Sequence, residues 1–237
     1  MVRPSVRVRV PLSFTNWDIH DIGTYLQNKK LKKLEKLEKL ERLKRVVIIG
    51  LSGIGKTSLF NMLCGTPVPT DVHPCTSEEP EALCNLIDGR TCTVRDTCGL
   101  PEVGPGSFIP DLFRKSTTKE LQKNLKKLRE ERELHLLIYC MSAHSRNKKN
   151  SHEKYYKMLT SIGVPVVVVV TNLEREDIST ESWWLANKEL LEKLGMNSST
   201  GHECVTTLPI RYLTEKERPL HYVSCTKVKA LISSNIL

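Results

Sequence analysis

One stretch constrains this chain more than any other: Gly50-Leu-Ser-Gly-Ile-Gly-Lys-Thr-Ser58. It fits the pattern GxxxxGK[ST] in full. The apolar run Val46–Ile49 precedes it directly, and Leu59, Phe60 and Leu63 follow at helical spacing. Strand, glycine-rich loop and helix in that order make a cradle for phosphate. Glycines let the backbone curl so that successive N–H groups converge on phosphate oxygens. The helix N-terminus adds the positive end of its dipole. Gly50, Ser52, Gly53, Ile54 and Gly55 are the expected loop contacts, with Ser58 in the first helical turn. Lys56 is expected to reach the β- and γ-phosphates and Thr57 to place its hydroxyl on Mg2+. The plainer alternative is an ordinary glycine-rich turn.

Around this motif, strand and helix patterns alternate from Arg45 onward. Strands are expected at Val46–Ile49, Leu83–Ile87, Thr91–Arg95, Leu134–Cys140, Val166–Thr171 and Cys204–Leu208. Helices are expected near 56–64, 116–131, 151–162 and 181–194, with a final helical face through Cys225, Val228, Leu231 and Ile232. Asp88-Gly89 between two strand runs reads as a type I′ hairpin. The expectation is therefore an α/β chain with the three-layer P-loop NTPase fold. It has a mainly parallel sheet with one antiparallel edge strand and helices on both faces.

Charge divides the chain differently. Residues 28–45 carry nine Lys/Arg against three Glu, whereas residues 46–237 carry 24 against 22. The body thus lacks the basic signature of a nucleic-acid binder, and no specific nucleic acid is expected. Residues 1–45 read as a tail followed by a Lys/Leu/Glu helical arm, and 46–237 as the folded body. In the arm, leucines recur every three residues from Leu31 to Leu43. Each step falls about 60° short of a full helical turn, so they wind round the helix and form no seam. The arm is either a solvated helix or a basic surface for an anionic membrane. In residues 1–27, Arg without early acid resembles a transit peptide, but Pro4 and Pro11 oppose the helix such a peptide needs. No apolar run approaches the roughly 20 residues that span a bilayer. The eight cysteines show no CxxC pair, which argues against zinc and for reduced thiols. A cytoplasmic location is expected, with a peripheral-membrane or organellar location as the alternative.

Three further stretches carry chemistry. Asp96-Thr97-Cys98-Gly99 closes a strand, where ligands of open α/β sheets bind. Asp96 would hold Mg2+ through water, and the Gly99 N–H would meet the γ-phosphate. Between the two motifs lies Pro69-Thr70-Asp71-Val72-His73-Pro74-Cys75-Thr76-Ser77. A switch loop there would supply a hydroxyl to Mg2+ while the γ-phosphate is present. Thr76 is the first choice and Thr70 the second. Lys56, Thr76 and Gly99 are then the candidate catalytic set, and Thr57, Thr76 and Asp96 the candidate metal ligands. The last stretch is Thr171-Asn172-Leu173-Glu174, after the run Val166–Val170. A carboxylate at Glu174 can accept hydrogen bonds from guanine N1 and its exocyclic amine, which adenine cannot offer. Asp177 is a fallback acid.

With these stretches in order, the chain resembles the P-loop GTPases of the translation-factor and Ras-like class. It is most similar to the stand-alone fungal G-domain proteins related to septins and immune-associated GTPases. GLSGIGKTS, HPCTS, DTCGL, VPVVVVVTNLERED with the following SWW, HECVTT and HYVSCTKVKALI carry the likeness over about 46–237. The resemblance implies a GTP- or GDP-binding protein with Mg2+ that hydrolyses GTP. It also implies a homodimer through the G domain or an activating protein as partners. It places the last guanine-contacting loop at Cys204-Val205-Thr206-Thr207, with Ser224-Cys225 as a rival, and Trp183 and Trp184 match a family feature. Two departures stand out. The base-reading pattern [NT]KxD has Asn172 for Lys and Glu174 for Asp. Where many G domains place a water-orienting glutamine, this chain has Leu100 followed by Pro101. No arginine finger in cis is evident, although Arg114 lies in an expected loop over 101–115. The implied activity is slow hydrolysis, and the alternatives are a nucleotide-held oligomerisation module with negligible turnover or an ATP-using P-loop protein.

Overall fold

The computed structural model describes residues 29–30, 43–65, 68, 79–102, 111–145, 148–175, 180–197 and 201–236. The chain divides into two units, Met1–Leu43 and Lys44–Leu237. In the first, Lys29 and Lys30 are helical; residues 31–42 of the basic arm lie outside the described residues, and Lys44 and Arg45 already open the first strand. Everything below concerns the second unit.

Six strands form one sheet: β1 (Lys44–Gly50), β2 (Glu81–Asn85), β3 (Thr91–Asp96), β4 (Leu136–Ser142), β5 (Val166–Thr171) and β6 (His202–Cys204). Their spatial order is β2-β3-β1-β4-β5-β6. Among the described residues only the β2–β3 pairing is antiparallel. Among the described residues of this unit six α-helices accompany them: α1 (Lys56–Cys64), α2 (Asp111–Glu130), α3 (Lys149–Thr160), α4 (Thr180–Ala186), α5 (Lys188–Lys193) and α6 (Arg218–Asn235). This is the mainly parallel sheet with one antiparallel edge strand expected from the alternation.

The centre of the sheet is its driest part. All seven residues of β4 are buried, as are Val167–Thr171 in β5. Apolar residues face both sides because helices cover both sides. Burying each of these valines contributes roughly 1.5–3 kcal/mol. The strand order reverses at β1, whose neighbours are β3 and β4. A crevice opens at such a point beyond the carboxyl ends of the strands. The register brings Asp96 beside Ile48, Gly50 beside Cys140, and Ser142 beside Thr171. The chemistry-bearing residues therefore share one edge.

Several expectations need correction. The hairpin between β2 and β3 is present, but its turn is not type I′. Among the described non-glycine residues only Arg132 and Asn172 have positive φ, so Asp88 lacks the conformation that turn requires. Instead the Leu86 N–H donates to the Arg90 carbonyl (2.8 Å) and Gly89 N–H to the Leu86 carbonyl (3.3 Å). Gly89 alone takes the left-handed conformation, at φ 82°. This is a three-residue loop ending in a left-handed glycine. The helix expected over 181–194 is two helices, α4 and α5, with Asn187 between them; its Nδ2 donates to the Trp183 carbonyl at 2.9 Å. The expected loop over 101–115 ends early, because Arg114 already belongs to α2. The last strand ends at Cys204, where the expected one began, so Thr206 and Thr207 lie in the loop after it. Ser224 and Cys225, the rival loop, sit within α6. The branched Val223 and aromatic Tyr222 look strand-like in isolation, but Ser224, Val228 and Ile232 recur at helical spacing on its buried face.

Candidate nucleotide site

The loop after β1 is held from both sides. Thr97 Oγ1 donates to the Ile48 carbonyl (2.8 Å) beneath it. The Leu100 N–H donates to the Gly50 carbonyl (2.9 Å), and the Ser52 N–H to the Leu100 carbonyl (3.0 Å). Space at these crossings admits only glycine. A Cβ on Gly50 would stand 2.3 Å from the Cys140 carbonyl oxygen, and one on Gly99 would stand 2.6 Å from Ser52 Cα. Both encounters are with backbone atoms, which cannot swing aside. Gly55 has a different duty: at φ 90° it turns the chain into α1. No side chain caps that helix, and the first-turn N–H groups of a helix have no partner within the helix itself.

Lys56 is buried, and its Nζ donates to the Leu51 carbonyl at 2.9 Å, folding the ammonium back over the loop. Thr57 Oγ1 donates to Asp96 Oδ2 at 2.7 Å. The other carboxylate oxygen, Asp96 Oδ1, is buried and has no partner among the described residues. Burial pushes the Asp96 carboxyl above its ordinary range, against the Thr57 hydrogen bond, the charge of Lys56 and the Thr97 N–H. A carboxylate of this kind, beside a hydroxyl and with one oxygen open, is a donor set that fits a hard divalent cation. Gly50, Ser52, Gly53, Ile54, Gly55, Lys56, Thr57, Ser58, Asp96 and Gly99 are thus gathered at one place. Thr76, Thr70 and Asp177 lie outside the described residues.

The opposite end of the edge was proposed to hold the base. Thr171 Oγ1 donates to the Ile54 carbonyl and lies 3.2 Å from the Met141 carbonyl. It ties the end of β5 to the phosphate loop. Asn172 is left-handed at φ 62°. Its Nδ2 donates to Ser142 Oγ at 2.9 Å, so this amide is turned toward β4. Glu174 follows in a single 3-10 turn, Leu173–Arg175, and is half-buried. Thr206 and Thr207 are buried; the Thr206 N–H donates to Ser224 Oγ at 3.1 Å. The two ends meet at Gly55, where a Cβ would stand 3.4 Å from Thr171 Oγ1 and 3.5 Å from Thr207 Oγ1.

Sequence reasoning missed the support beneath this end. Tyr139 Oη donates to His152 Nδ1 at 2.8 Å, and His152 Nε2 reaches Ser145 Oγ at 2.9 Å. Ser145 Oγ donates to the Ser142 carbonyl at 2.7 Å. The chain of contacts runs from α3 through β4 to Asn172. His152 is fully buried, and burial pushes its pKa down to about 4. It is neutral, with both ring nitrogens satisfied. The one available signal was the Ser142-Ala-His-Ser145 cluster following an apolar strand. Leu100 is buried in the core, and Tyr155 Oη donates to the Pro101 carbonyl at 2.6 Å.

Residues 45–172 match the 50S ribosome-binding GTPase family. The chain belongs to that family. Its G domain carries the GTP-binding fold in the order read above. A comparison with curated proteins finds no match to this GTPase. Among solved structures it is similar to an Era variant from Aquifex aeolicus bound to GDP·AlF4−, at 18% identity and a TM-score of 0.52, covering 70% of this chain and 52% of Era. It is also similar to an EngB GTP-binding protein, at 14% identity and TM-score 0.54, covering 80% and 99% of the two chains. The FeoB G-domain from Methanococcus jannaschii matches at 15% identity and TM-score 0.50, covering 81% and 96%. The chain spans about half the length of the Era chain it matches. Likeness at these identities shows the fold. Among the described residues, no helix is long and apolar enough to cross a membrane.

Proposed function

We propose that this GTPase binds guanine nucleotide with Mg2+, hydrolyses GTP slowly, and changes the order of its loops as the γ-phosphate is lost. The observation that carries the reading is the Thr57–Asp96 pair at 2.7 Å, with one buried carboxylate oxygen open beside an uncapped helix N-terminus. GTP is the substrate. First-turn N–H groups of α1 would cradle its phosphates, and Lys56 would exchange the Leu51 carbonyl for β- and γ-oxygens. Thr57, Thr76 and, through water, Asp96 would hold Mg2+, which when bound neutralises phosphate charge. The Gly99 N–H would meet the γ-phosphate. Water attacks the γ-phosphorus in line, and the β-phosphate oxygen leaves.

Leu100 supports slow turnover. Its side chain is buried and its backbone is bonded on both sides to the phosphate loop. It offers no group to orient or deprotonate water. An activating protein or a second copy through the G domain would supply that group. The same observation favours the second reading, a nucleotide-held oligomerisation module with negligible turnover. Guanine preference rests on Glu174, with Thr171, Asn172, Thr206 and Thr207 shaping the base end. The relation to septin and immune-associated GTPases, a cytoplasmic location, the division into a tail and arm (1–45) and a G domain (46–237), and an anionic-membrane role for residues 28–45 complete the reading.

Titration of the full chain with GTP, GDP and ATP in Mg2+, followed by single-turnover phosphate release, tests it. The expected result is tight guanine-nucleotide binding, weak ATP binding, and slow release that Lys56→Ala removes. No binding at millimolar nucleotide would sink the proposal, and equal ATP and GTP affinity would sink its guanine part. Deleting 28–43, which leaves β1 whole, should abolish a sedimentation with anionic vesicles that salt weakens.

A further inference from the structure

The stretch Leu100-Pro101-Glu102, directly after Gly99, is gripped from two sides. On one side is the phosphate loop. The Leu100 N–H donates to the Gly50 carbonyl, the Ser52 N–H donates to the Leu100 carbonyl, and Leu51 and Leu100 form a parallel bridge. On the other side is α3, which has no part in the phosphate contacts described above. Tyr155 Oη donates to the Pro101 carbonyl at 2.6 Å. Lys148, the residue that opens α3, pairs with the Glu102 carboxylate.

The sequence of α3 explains why it reaches this loop. Ser151, His152, Tyr155 and Leu159 recur at helical spacing and, with Tyr156, form its buried face. Tyr155 is fully buried, and Pro101 is buried as well. A buried tyrosine needs a partner for its hydroxyl. Where water cannot replace either group, breaking such a bond leaves a polar atom unsatisfied. The Lys148–Glu102 pair is partly exposed and adds less.

These grips fix the backbone on both sides of Gly99. Upstream, Thr97 Oγ1 donates to the Ile48 carbonyl at 2.8 Å and ties the end of β3 to β1. Downstream, Leu100 is held by the phosphate loop and Pro101 by α3. Gly99 itself lies so close to the phosphate loop that a Cβ would stand 2.6 Å from Ser52 Cα. Each of these bonds is made between protein groups. The direction of the Gly99 N–H is therefore decided by the fold and not by a ligand.

We propose that Tyr155 is a positioning residue: with Lys148 it holds the Gly99 N–H where a γ-phosphate would meet it, and so sets the preference for triphosphate over diphosphate. The inference rests on the proposed placement of Gly99 at the γ-phosphate. A diphosphate offers that N–H nothing. A donor fixed in advance loses little freedom on binding, whereas the ordering of a loose one subtracts from affinity. Releasing Pro101 from α3 therefore weakens triphosphate binding and leaves diphosphate binding alone. Tyr155 and Lys148 act through the loop and not on the nucleotide.

The test compares GDP with the non-hydrolysable triphosphate GDPNP, both in Mg2+, by equilibrium titration of the full chain. Tyr155→Phe keeps the ring and removes only the hydroxyl. GDPNP affinity should fall by about fivefold, the equivalent of one ordinary hydrogen bond, with GDP affinity unchanged. Lys148→Glu sets two like charges together and should lower the same ratio by about twofold; adding Glu102→Lys should restore it. An unchanged GDPNP-to-GDP ratio in Tyr155→Phe overturns the proposal. So does an equal loss for both ligands, which is what general loosening of the fold gives. Should Tyr155→Phe fail to fold, the Lys148→Glu ratio and its rescue decide. Failure of the unmutated chain to bind GDP defeats the nucleotide reading instead. Amide hydrogen exchange then tests the grip by itself: faster exchange at Gly99 and Leu100 is expected in Tyr155→Phe, and unaltered exchange overturns it.

Discussion

The two ends of the candidate site are built in opposite ways. At the phosphate end, one continuous segment from Gly50 to Ser58 supplies nearly everything, and β3 adds Asp96 and Gly99. At the base end, Thr171 and Asn172 come from the end of β5, Glu174 from a short turn, and Thr206 and Thr207 from the loop after β6. Their positions depend on Ser142 in β4 and Ser224 in α6. A local segment fixes its own geometry through backbone conformation. A dispersed one inherits its geometry from sheet register and from side chains outside the site. The phosphate end should therefore fail sharply when one of its own residues changes, while the base end should respond more softly and to more distant changes.

The largest expected effect is at the phosphate end. Lys56→Ala removes a buried charge from the cradle and should weaken GDP binding by roughly a hundredfold, about 3 kcal/mol. Equilibrium titration with a fluorescent nucleotide checks it, and an unchanged affinity would break the comparison at its stronger side. Next comes Glu174→Gln. It keeps the size but cannot accept two hydrogen bonds, so discrimination between GTP and ATP should fall by about thirtyfold with little change for tripolyphosphate. Equal losses for all three ligands would mean that Glu174 acts through the fold and not through the base.

The third prediction concerns the buried support of the base end. His152 has a pKa held down to about 4 by burial. The unfolded chain takes up the proton first as pH falls through its ordinary value near 6.5, so this contribution is fully present at neutral pH and is lost toward pH 4. Stability should fall by about 2 kcal/mol between pH 7.5 and 5 from this residue alone. Urea unfolding at the two pH values should show a smaller drop in His152→Gln. A steeper fall in the variant would reverse the assignment. The smallest effect is Ser142→Ala, which frees the Asn172 amide. It should cost about 1 kcal/mol and shift guanine-nucleotide affinity by a few-fold while leaving tripolyphosphate binding alone.

Reading the chain in order recovered the strand, loop and helix around Gly50–Ser58 because their physics is local. Helix α1 starts at Lys56 and ends at Cys64 as expected, since a glycine loop, an amphipathic run and Gly65 set its limits without help. The run Val166–Thr171 likewise reads directly as a strand. The turn of the β2–β3 hairpin was misread because Asp-Gly is compatible with several loops, and the pairing of Leu86 with Arg90 selects among them. The break at Asn187 and the early end of β6 were also invisible, because each is decided by a partner far away in the chain.

By itself, then, the order of residues determined that a glycine-rich loop would join a strand to a helix at Gly50–Ser58, and that an alternating α/β sheet would carry it. These follow from backbone conformation and periodicity over a few neighbours. Only the tertiary structure decided that Asp96 meets Thr57 with one oxygen left open, that Ser142 turns Asn172 aside, and that Leu100 is buried against the loop. Each of those is a contact between segments tens of residues apart, and such a contact exists only after register and packing have chosen which side chains meet.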